Sequence, residues 1–258
     1  MFLIKIGGSV ITEKTQEKPI FKKAVMDNLS LMIQKAEKDV VIIHGAGSFG
    51  HVLAKRYDLN NGCSSSVQKQ GFSETHSLVQ KLNSFVIQSL QDHQLAAVSI
   101  PPHATIIFNN HEIEWIDTNM FLSYKKQGFV PVSFGDVVLD TSLGCSICSG
   151  DLLILTLARI FKPEAVIFVM DEDGLYTANP KIDRNATFIE SIGIHDFHRL
   201  TTQLDTHADV TKGMEGKLHI IKQIVEQGSN TILLNGNKPH RLYDVLRDIP
   251  TKSTIFRR

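Results

Sequence analysis

Two stretches of the chain place a lysine beside glycines, the arrangement that phosphate chemistry needs. Lys5 precedes Gly7, Gly8 and Ser9 at the end of an apolar run, and Lys14 follows. Glycine N–H groups have no side-chain shield, so phosphate oxygens can approach them closely while a lysine neutralises the anion. Further on, Gly213-Met214-Glu215-Gly216 leads into Lys217. If these glycines open a helix, Lys217 falls in its first turns, where the dipole already favours an anion. Three lysines could then converge on transferring phosphoryl oxygens. For each segment alone, a tight strand-to-helix turn with a solvated lysine is the plainer alternative.

Gly45-Ala46-Gly47-Ser48-Phe49-Gly50-His51 contains G-x-G-x-x-G directly after a second apolar run. A dinucleotide fingerprint would add an acidic residue at a strand end about 20 residues later. Cys63, Ser64, Ser65 and Ser66 stand there instead. The loop is therefore read as an anion cradle, with His51 as a cationic or hydrogen-bonding donor and His44 bracketing its other side. Asp171-Glu172-Asp173-Gly174 begins like a calcium loop, but its twelfth position is Ile182 rather than Glu, so the EF-hand reading fails. A turn over a nucleotide fits it better. Cys145-Ser146-Ile147-Cys148, with Cys63 as a third thiol, lacks the four ligands of a structural zinc and is read as incidental.

These residues need a frame, and the hydropathy pattern supplies one. Short apolar runs at 2–6, 40–44, 96–100, 130–134, 137–139, 165–170 and 230–234 alternate with stretches of helical period at 20–37, 150–161 and 210–227. A further helix is expected from Ser73, whose hydroxyl could cap it, and a hairpin at Asn109-Asn110. Alternation of this kind is the grammar of a layered α/β sheet. Residues 140–149 are the expected seam between two lobes, and 230–234 the expected last strand. The helix after Gly71 presents Phe72, His76 and Val79 at helical spacing, a face that could line an apolar slot or simply pack in the core.

Composition excludes several classes of function. Lys plus Arg and Asp plus Glu both total 27 among 258 residues, so the positive excess of a nucleic-acid or membrane-surface binder is absent. The apolar fraction of 42% against 21% charged is that of a folded globular chain. The apolar runs are too short to span a bilayer. Lys5 interrupts what would be the apolar core of a signal peptide, and three cysteines suit a reducing compartment better than a disulfide framework. A cytoplasmic protein is the expectation.

Taken in order, Lys5-Ile6-Gly7-Gly8-Ser9, His44 to His51, Ser149-Gly150-Asp151, Asp171 to Tyr176 with Asn179-Pro180-Lys181, and Asp209 to Lys217 resemble the amino acid kinase superfamily. The His-Gly-x-Gly-Ser-Phe-Gly-His form resembles its isopentenyl phosphate kinase branch, with fosfomycin kinases the nearest relatives. The resemblance implies an α/β fold, an open αβα sandwich with a mostly parallel central sheet. It implies ATP and magnesium, the metal held mainly through the ATP phosphates with no protein ligand assigned, and a homodimer. By motif, Lys5, Gly7, Gly8 and Ser9 should bind ATP phosphates, and Lys14 should stabilise the transition state. Ala46, Gly47, Gly50 and His51 should hold the acceptor phosphate, Gly47 meeting the nucleotide as well, with Gly150 at its border and Asp151 orienting the lysines. Asp171, Tyr176, Lys181, Gly213 and Lys217 should bind the nucleotide. Ala46, Leu152 and Lys212 depart from residues common in the family. One domain is expected, with an acceptor lobe over 1–145 and a nucleotide lobe over 146–258.

The implied activity is ATP-dependent conversion of isopentenyl phosphate to isopentenyl diphosphate in an alternative mevalonate route of isoprenoid biosynthesis. The residue types agree with it. A phosphate monoester has a second pKa near 6, so the acceptor is already a nucleophilic anion at neutral pH and needs no catalytic base. Repulsion between two anions is the difficulty, and lysines, glycine N–H groups and a histidine address it. The rival readings are a kinase of fosfomycin, of a glutamate-type carboxylate or of UMP, and a non-catalytic nucleotide-binding protein on the same fold. Lys5, Lys14, Asp151 and Lys217 together favour an enzyme, since a mere binder has no use for all four.

Overall fold

Strands β1 (Phe2–Ile6) and β2 (Val40–His44) are buried along their whole length, which is why they read as unbroken apolar runs rather than alternating ones. The computed structural model describes residues 1–13, 18–178, 180, 182–197 and 212–258. In chain order the remaining strands are β3 (Ala97–Ser99), β4 (Ile106–Asn109), β5 (Glu112–Ile116), β6 (Val130–Phe134), β7 (Asp136–Asp140), β8 (Gly144–Cys148), β9 (Ala165–Met170), β10 (Leu175–Tyr176), β11 (Phe188–Ile189), β12 (Ser191–Gly193), β13 (Asn230–Asn235) and β14 (Thr254–Arg257). Eight of them form the main sheet in the order β12-β14-β13-β9-β1-β2-β6-β3. Its pairs are parallel except β13–β14. A smaller sheet runs β5-β4-β7-β8.

The helices are α1 (Gly8–Ile11), α2 (Lys23–Ala36), α3 (Gly47–Arg56), α4 (Ser66–Asp92), α5 (Pro102–Thr105), α6 (Thr118–Lys126), α7 (Gly150–Phe161), α8 (Lys212–Glu226) and α9 (His240–Leu246). Successive strand residues face opposite sides, and two cores result. On one face Leu3, Val41 and Ile43 pack with Leu153 and Leu157 of α7 and with Leu218 and Ile221 of α8. On the other, Ile4, Ile6 and Ile42 pack with Met26, Leu29 and Ile33 of α2 and Leu82, Val86 and Leu90 of α4. The layers are helix, sheet, helix, as expected for the αβα sandwich. No helix among the described residues is long and apolar enough to cross a membrane.

Several elements differ from the sequence expectation. The helix expected from Ser73 begins seven residues earlier, capped by Ser65, whose Oγ accepts from the Gln68 N–H while the Gln68 side chain accepts from the Ser65 N–H. Gly71 does not break α4; a Cβ there would lie 2.2 Å from the Tyr57 ring, so the glycine serves close packing against α3's end. Residues 140–149 are not a slack seam. They hold the β7–β8 turn, in which the Asp140 carboxylate accepts from the N–H groups of Asn110, His111, Ser142 and Leu143 and from the Ser146 hydroxyl. These donors hold its carboxyl far below the usual carboxylate range. β14 follows the strand expected to be last. Cys63 and Cys145 form a disulfide across 82 residues of chain, with Cα atoms 5.2 Å apart. The expectation of unpaired thiols fails for these two; Cys148 is buried and free.

Candidate active site

In a parallel sheet, ligands gather beyond the carboxyl ends of the strands. Here that edge carries Gly7 after β1, Gly45 after β2, Gly135 after β6 and Asp171 after β9, and all four border one cavity of about 990 Å³. Two of its lips touch. A Cβ on Gly8 would stand 2.4 Å from the backbone nitrogen of Gly47, and Gly47 itself has φ +52, so the first-strand turn and the start of α3 approach backbone to backbone. Thr12 ties them further: its hydroxyl donates to the Gly8 carbonyl at 2.8 Å and accepts from the Ser48 N–H at 3.1 Å. The sequence reading did not single out Thr12; its signal is a hydroxyl residue one helical turn past the Gly7-Gly8 pair.

Two lysines meet one carboxylate in this cavity. Lys5 Nζ lies 2.8 Å from Asp151 Oδ1, and Lys217 Nζ lies 2.6 Å from Asp151 Oδ2. Lys5 is the next-to-last residue of β1 and Lys217 sits in the second turn of α8, so the sheet and a helix each supply one cation. Asp151 is in the first turn of α7, whose N-cap Ser149 accepts from the Leu152 N–H at 3.1 Å. A carboxylate there is favoured by the helix dipole. Gly150 before it lies directly beside Lys5, whose Cε a Cβ there would meet at 3.4 Å, about ordinary contact. Burial opposes the Asp151 charge, but the two ammonium groups prevail and lower its pKa to about 2. For Lys217 the balance is reversed: burial and the Lys5 charge lower its pKa despite Asp151. The cluster carries two positive charges against one negative, and the surplus faces the cavity. Lys217 Nζ also lies 5.1 Å from the centre of the Phe168 ring.

His51, in the second turn of α3, lines the same cavity, and burial and then the Lys5 charge lower its pKa. Beyond Gly50 and His51 the lining turns apolar, with Ala54, Val79, Val137 and Ile147. On the opposite side, Ser9 Oγ donates to Asp171 Oδ1 at 3.2 Å. Tyr176 lines the same end, its ring edge-on to Phe188 at 5.3 Å. Asp173, from the same motif, faces Arg241, Lys252 and Asn235 at 2.7–2.9 Å and so pins its turn to the β13 end.

Lys5, Gly7, Gly8, Ser9, Ala46, Gly47, Gly50, His51, Val79, Gly150, Asp151, Asp171, Tyr176 and Lys217 thus line one cavity. Lys14 and Lys181 lie outside the described residues, and Gly213 is placed only as part of the first turn of α8. Three expectations are corrected. His44 does not reach the loop: it is fully buried in β2, stacked on Phe134 at 5.3 Å and bonded to Asn83 at 3.2 Å. Burial lowers its pKa to about 4, so it is a neutral core residue. Phe72 and His76 are not on the cavity wall. Phe72 packs one layer behind, against the cluster of Ala54, Leu59, Val137 and Cys145, and His76 turns to Asp136. Of the departures from the family, Ala46 needs no glycine, since φ −67 and ψ −26 are ordinary helical values. Leu152, in the first turn of α7, is partly buried and packs against the core beneath that helix.

The pattern that describes the Amino acid kinase family matches residues 1–235. The chain belongs to that family. It is 37% identical to an isopentenyl phosphate kinase of Methanothermobacter thermautotrophicus over 247 residues, 93% of this chain and 92% of that one. It is 30% identical to an isopentenyl phosphate kinase of Thermoplasma acidophilum, covering 95% and 96% of the two chains. Among solved structures, one described as an X-ray structure of isopentenyl phosphate kinase superposes with a TM-score of 0.87 at 32% identity, covering 98% and 99%. This amino acid kinase is therefore similar to those enzymes over nearly its entire length.

Proposed function

We propose that the protein transfers the γ-phosphoryl group of ATP to isopentenyl phosphate, giving isopentenyl diphosphate and ADP for isoprenoid synthesis. The observation that carries the reading is the pairing of Lys5 and Lys217 with Asp151 in a cavity that His51 and several apolar side chains also line. An oxygen of the acceptor phosphate attacks the γ-phosphorus, the bond from that phosphorus to the β–γ bridging oxygen breaks, and ADP leaves with the electron pair. The acceptor oxygen is already ionised, so no residue has to remove a proton. Lys5 and Lys217 meet the negative charge shared by the two phosphate chains, and His51 anchors the acceptor. The residues 1–145 would form the acceptor lobe and 146–258 the nucleotide lobe.

Magnesium suits this site as a passenger of the nucleotide. Asp151 gives both oxygens to lysines, so it is not a metal ligand, and a hard cation that keeps several waters can rest on ATP phosphates. Bound there, it neutralises charge on the β and γ oxygens. The apolar lining at Ala54, Val79, Val137 and Ile147 favours a hydrocarbon tail over uridine or glutamate, which need polar partners for their buried groups. Phosphorus NMR of a reaction with ATP and isopentenyl phosphate tests the reading. Two coupled diphosphate resonances of the product, beside those of ADP, are expected; ADP with inorganic phosphate alone would contradict it.

A further inference from the structure

One group of side chains near the cavity takes no part in the phosphoryl transfer just described. His76 of α4, His103 of α5 and Asp136 of β7 direct ligand atoms at one another within 4.8 Å, the one such cluster among the described residues. His76 Nδ1 lies 3.0 Å and His103 Nδ1 3.5 Å from the same oxygen, Asp136 Oδ2. The two imidazole rings are 4.0 Å apart, centre to centre. We propose that His76, His103 and Asp136 form a binding site for a divalent transition-metal ion such as Zn²⁺.

The hydrogen bonds of the cluster leave it incomplete. At 3.5 Å the His103 contact is too long for a sound bond, and His103 Nδ1 is a buried atom with no hydrogen-bond partner. His76 Nδ1 already lies 3.0 Å from both carboxylate oxygens, which leaves His103 without a sound partner, whereas a cation between them would meet all three ligands. Ligand atoms around a tetrahedral ion with bonds of 2.0–2.2 Å stand roughly 3.3–3.6 Å apart, close to the 3.0 and 3.5 Å that separate the two histidines from Asp136, with all three ligand atoms inside 4.8 Å. Two imidazoles and one carboxylate suit zinc, cobalt or nickel, whereas magnesium and calcium take oxygen ligands.

The surroundings also match what a metal-ligating histidine needs. Asp136 Oδ1 accepts from the Val137 N–H at 2.9 Å, which fixes the carboxylate while both of its oxygens stay 3.0 Å from His76 Nδ1. The far nitrogen of His76, Nε2, lies 3.0 Å from the Gln80 amide. Now the amide N–H₂ donates to it; rotating the amide would present its oxygen instead, so that Nε2–H is held while Nδ1 binds metal. The Asp136 side chain is fully enclosed, but those of His76 and His103 are 21% and 33% exposed. The ion would enter from solvent and keep water in its fourth position. Bound, it would clamp α4 and α5 to the strand that carries Asp136 and Val137 into the cavity wall, holding that wall in place.

Cobalt(II) titration of the full chain, freed of metal by chelator and without nucleotide, tests the proposal. The expected result is saturable 1:1 binding with the visible absorption bands of a low-symmetry cobalt site, displaced by zinc. His76→Ala and His103→Ala should each weaken binding by about a hundredfold or more, since loss of a mere outer-shell partner already costs 10–100-fold. His219→Ala, on the exposed face of α8, should bind as wild type does. Because Asp136 is enclosed, Asp136→Asn is read only with an intact circular dichroism spectrum; His103→Ala, in a short surface helix, carries the test otherwise. No saturable binding, or equal binding by wild type and the His76→Ala/His103→Ala double variant, would overturn the site.

Discussion

Replacing Asp151 with Asn removes one charge and keeps the shape, so it isolates what the carboxylate does for two lysines. In the wild type it receives Lys5 at 2.8 Å and Lys217 at 2.6 Å. The Lys217 contact is a charge-assisted hydrogen bond, worth about 1.5–3 kcal/mol, and the Lys5 contact is an ion pair. The full loss of a buried pair reaches 3–5 kcal/mol, but these lysines border an open cavity and can turn toward water, so about 2–3 kcal/mol of stability should be lost. The kinetic effect should be larger in proportion. Displacing a charge by about 1 Å from the transferring group costs on the order of a hundredfold in rate, so kcat should fall about 10²-fold with a smaller change in the KM for ATP. A pH profile separates this from simple damage. Lys217 must stay protonated, and its pKa is already lowered by burial and by Lys5, with Asp151 as the main opposing influence. Without that carboxylate the pKa falls further, so activity should begin to fail at a lower pH on the alkaline side. A variant with kcat within threefold of wild type and an unmoved alkaline limb would refute the role given to Asp151.

His51→Ala should raise the acceptor Kd by about ten- to a hundredfold in calorimetric titration, and His51→Asn by less, because asparagine still donates a hydrogen bond. The free His51 pKa is lowered and a bound dianion raises it, so acceptor affinity should weaken as pH rises through the bound-state value; pH-independent binding would remove the imidazolium from the account. Gly8→Ala should cut nucleotide affinity and lower Tm, since its methyl would stand 2.4 Å from the Gly47 nitrogen and neither backbone can swing aside; unchanged ATP binding and Tm would contradict that contact. Val79→Ala should let longer prenyl phosphates react, whereas Phe72→Ala, one layer behind the wall, should lower stability with little change in chain-length profile, as initial rates and thermal melts will show.

What was legible in the sequence was set by burial. β1, β2, α7 and β9 were expected with nearly the bounds observed because each is a buried apolar run closed by glycine or a charged turn. The start of α4 is placed late because Ser73 and Ser65 are both cap-forming hydroxyl residues, and only the reciprocal bonds with Gln68 select Ser65. β8 reads as a seam because Asp140 satisfies its turn through residues distant in sequence, Asn110 and His111. The lysine–aspartate cluster is legible because lysine beside glycine has a local signature. His44 and His51 bracket the same loop and look equivalent in sequence, yet one ends a central strand and the other begins to climb an open helix. The Cys63–Cys145 disulfide and the His76–His103–Asp136 cluster join elements far apart in the chain, so no spacing rule could have found them.

The central claim is the identity of the acceptor, and a competition of acceptors tests it most directly. ADP release should be measured with ATP and magnesium against isopentenyl phosphate, fosfomycin, glutamate and UMP. Burying a five-carbon tail against Ala54, Val79, Val137 and Ile147 contributes on the order of 0.8 kcal/mol per carbon, or about 4 kcal/mol in all. The highest kcat/KM is expected with isopentenyl phosphate, by a factor of about a hundred or more. A higher kcat/KM with any of the other three would contradict it.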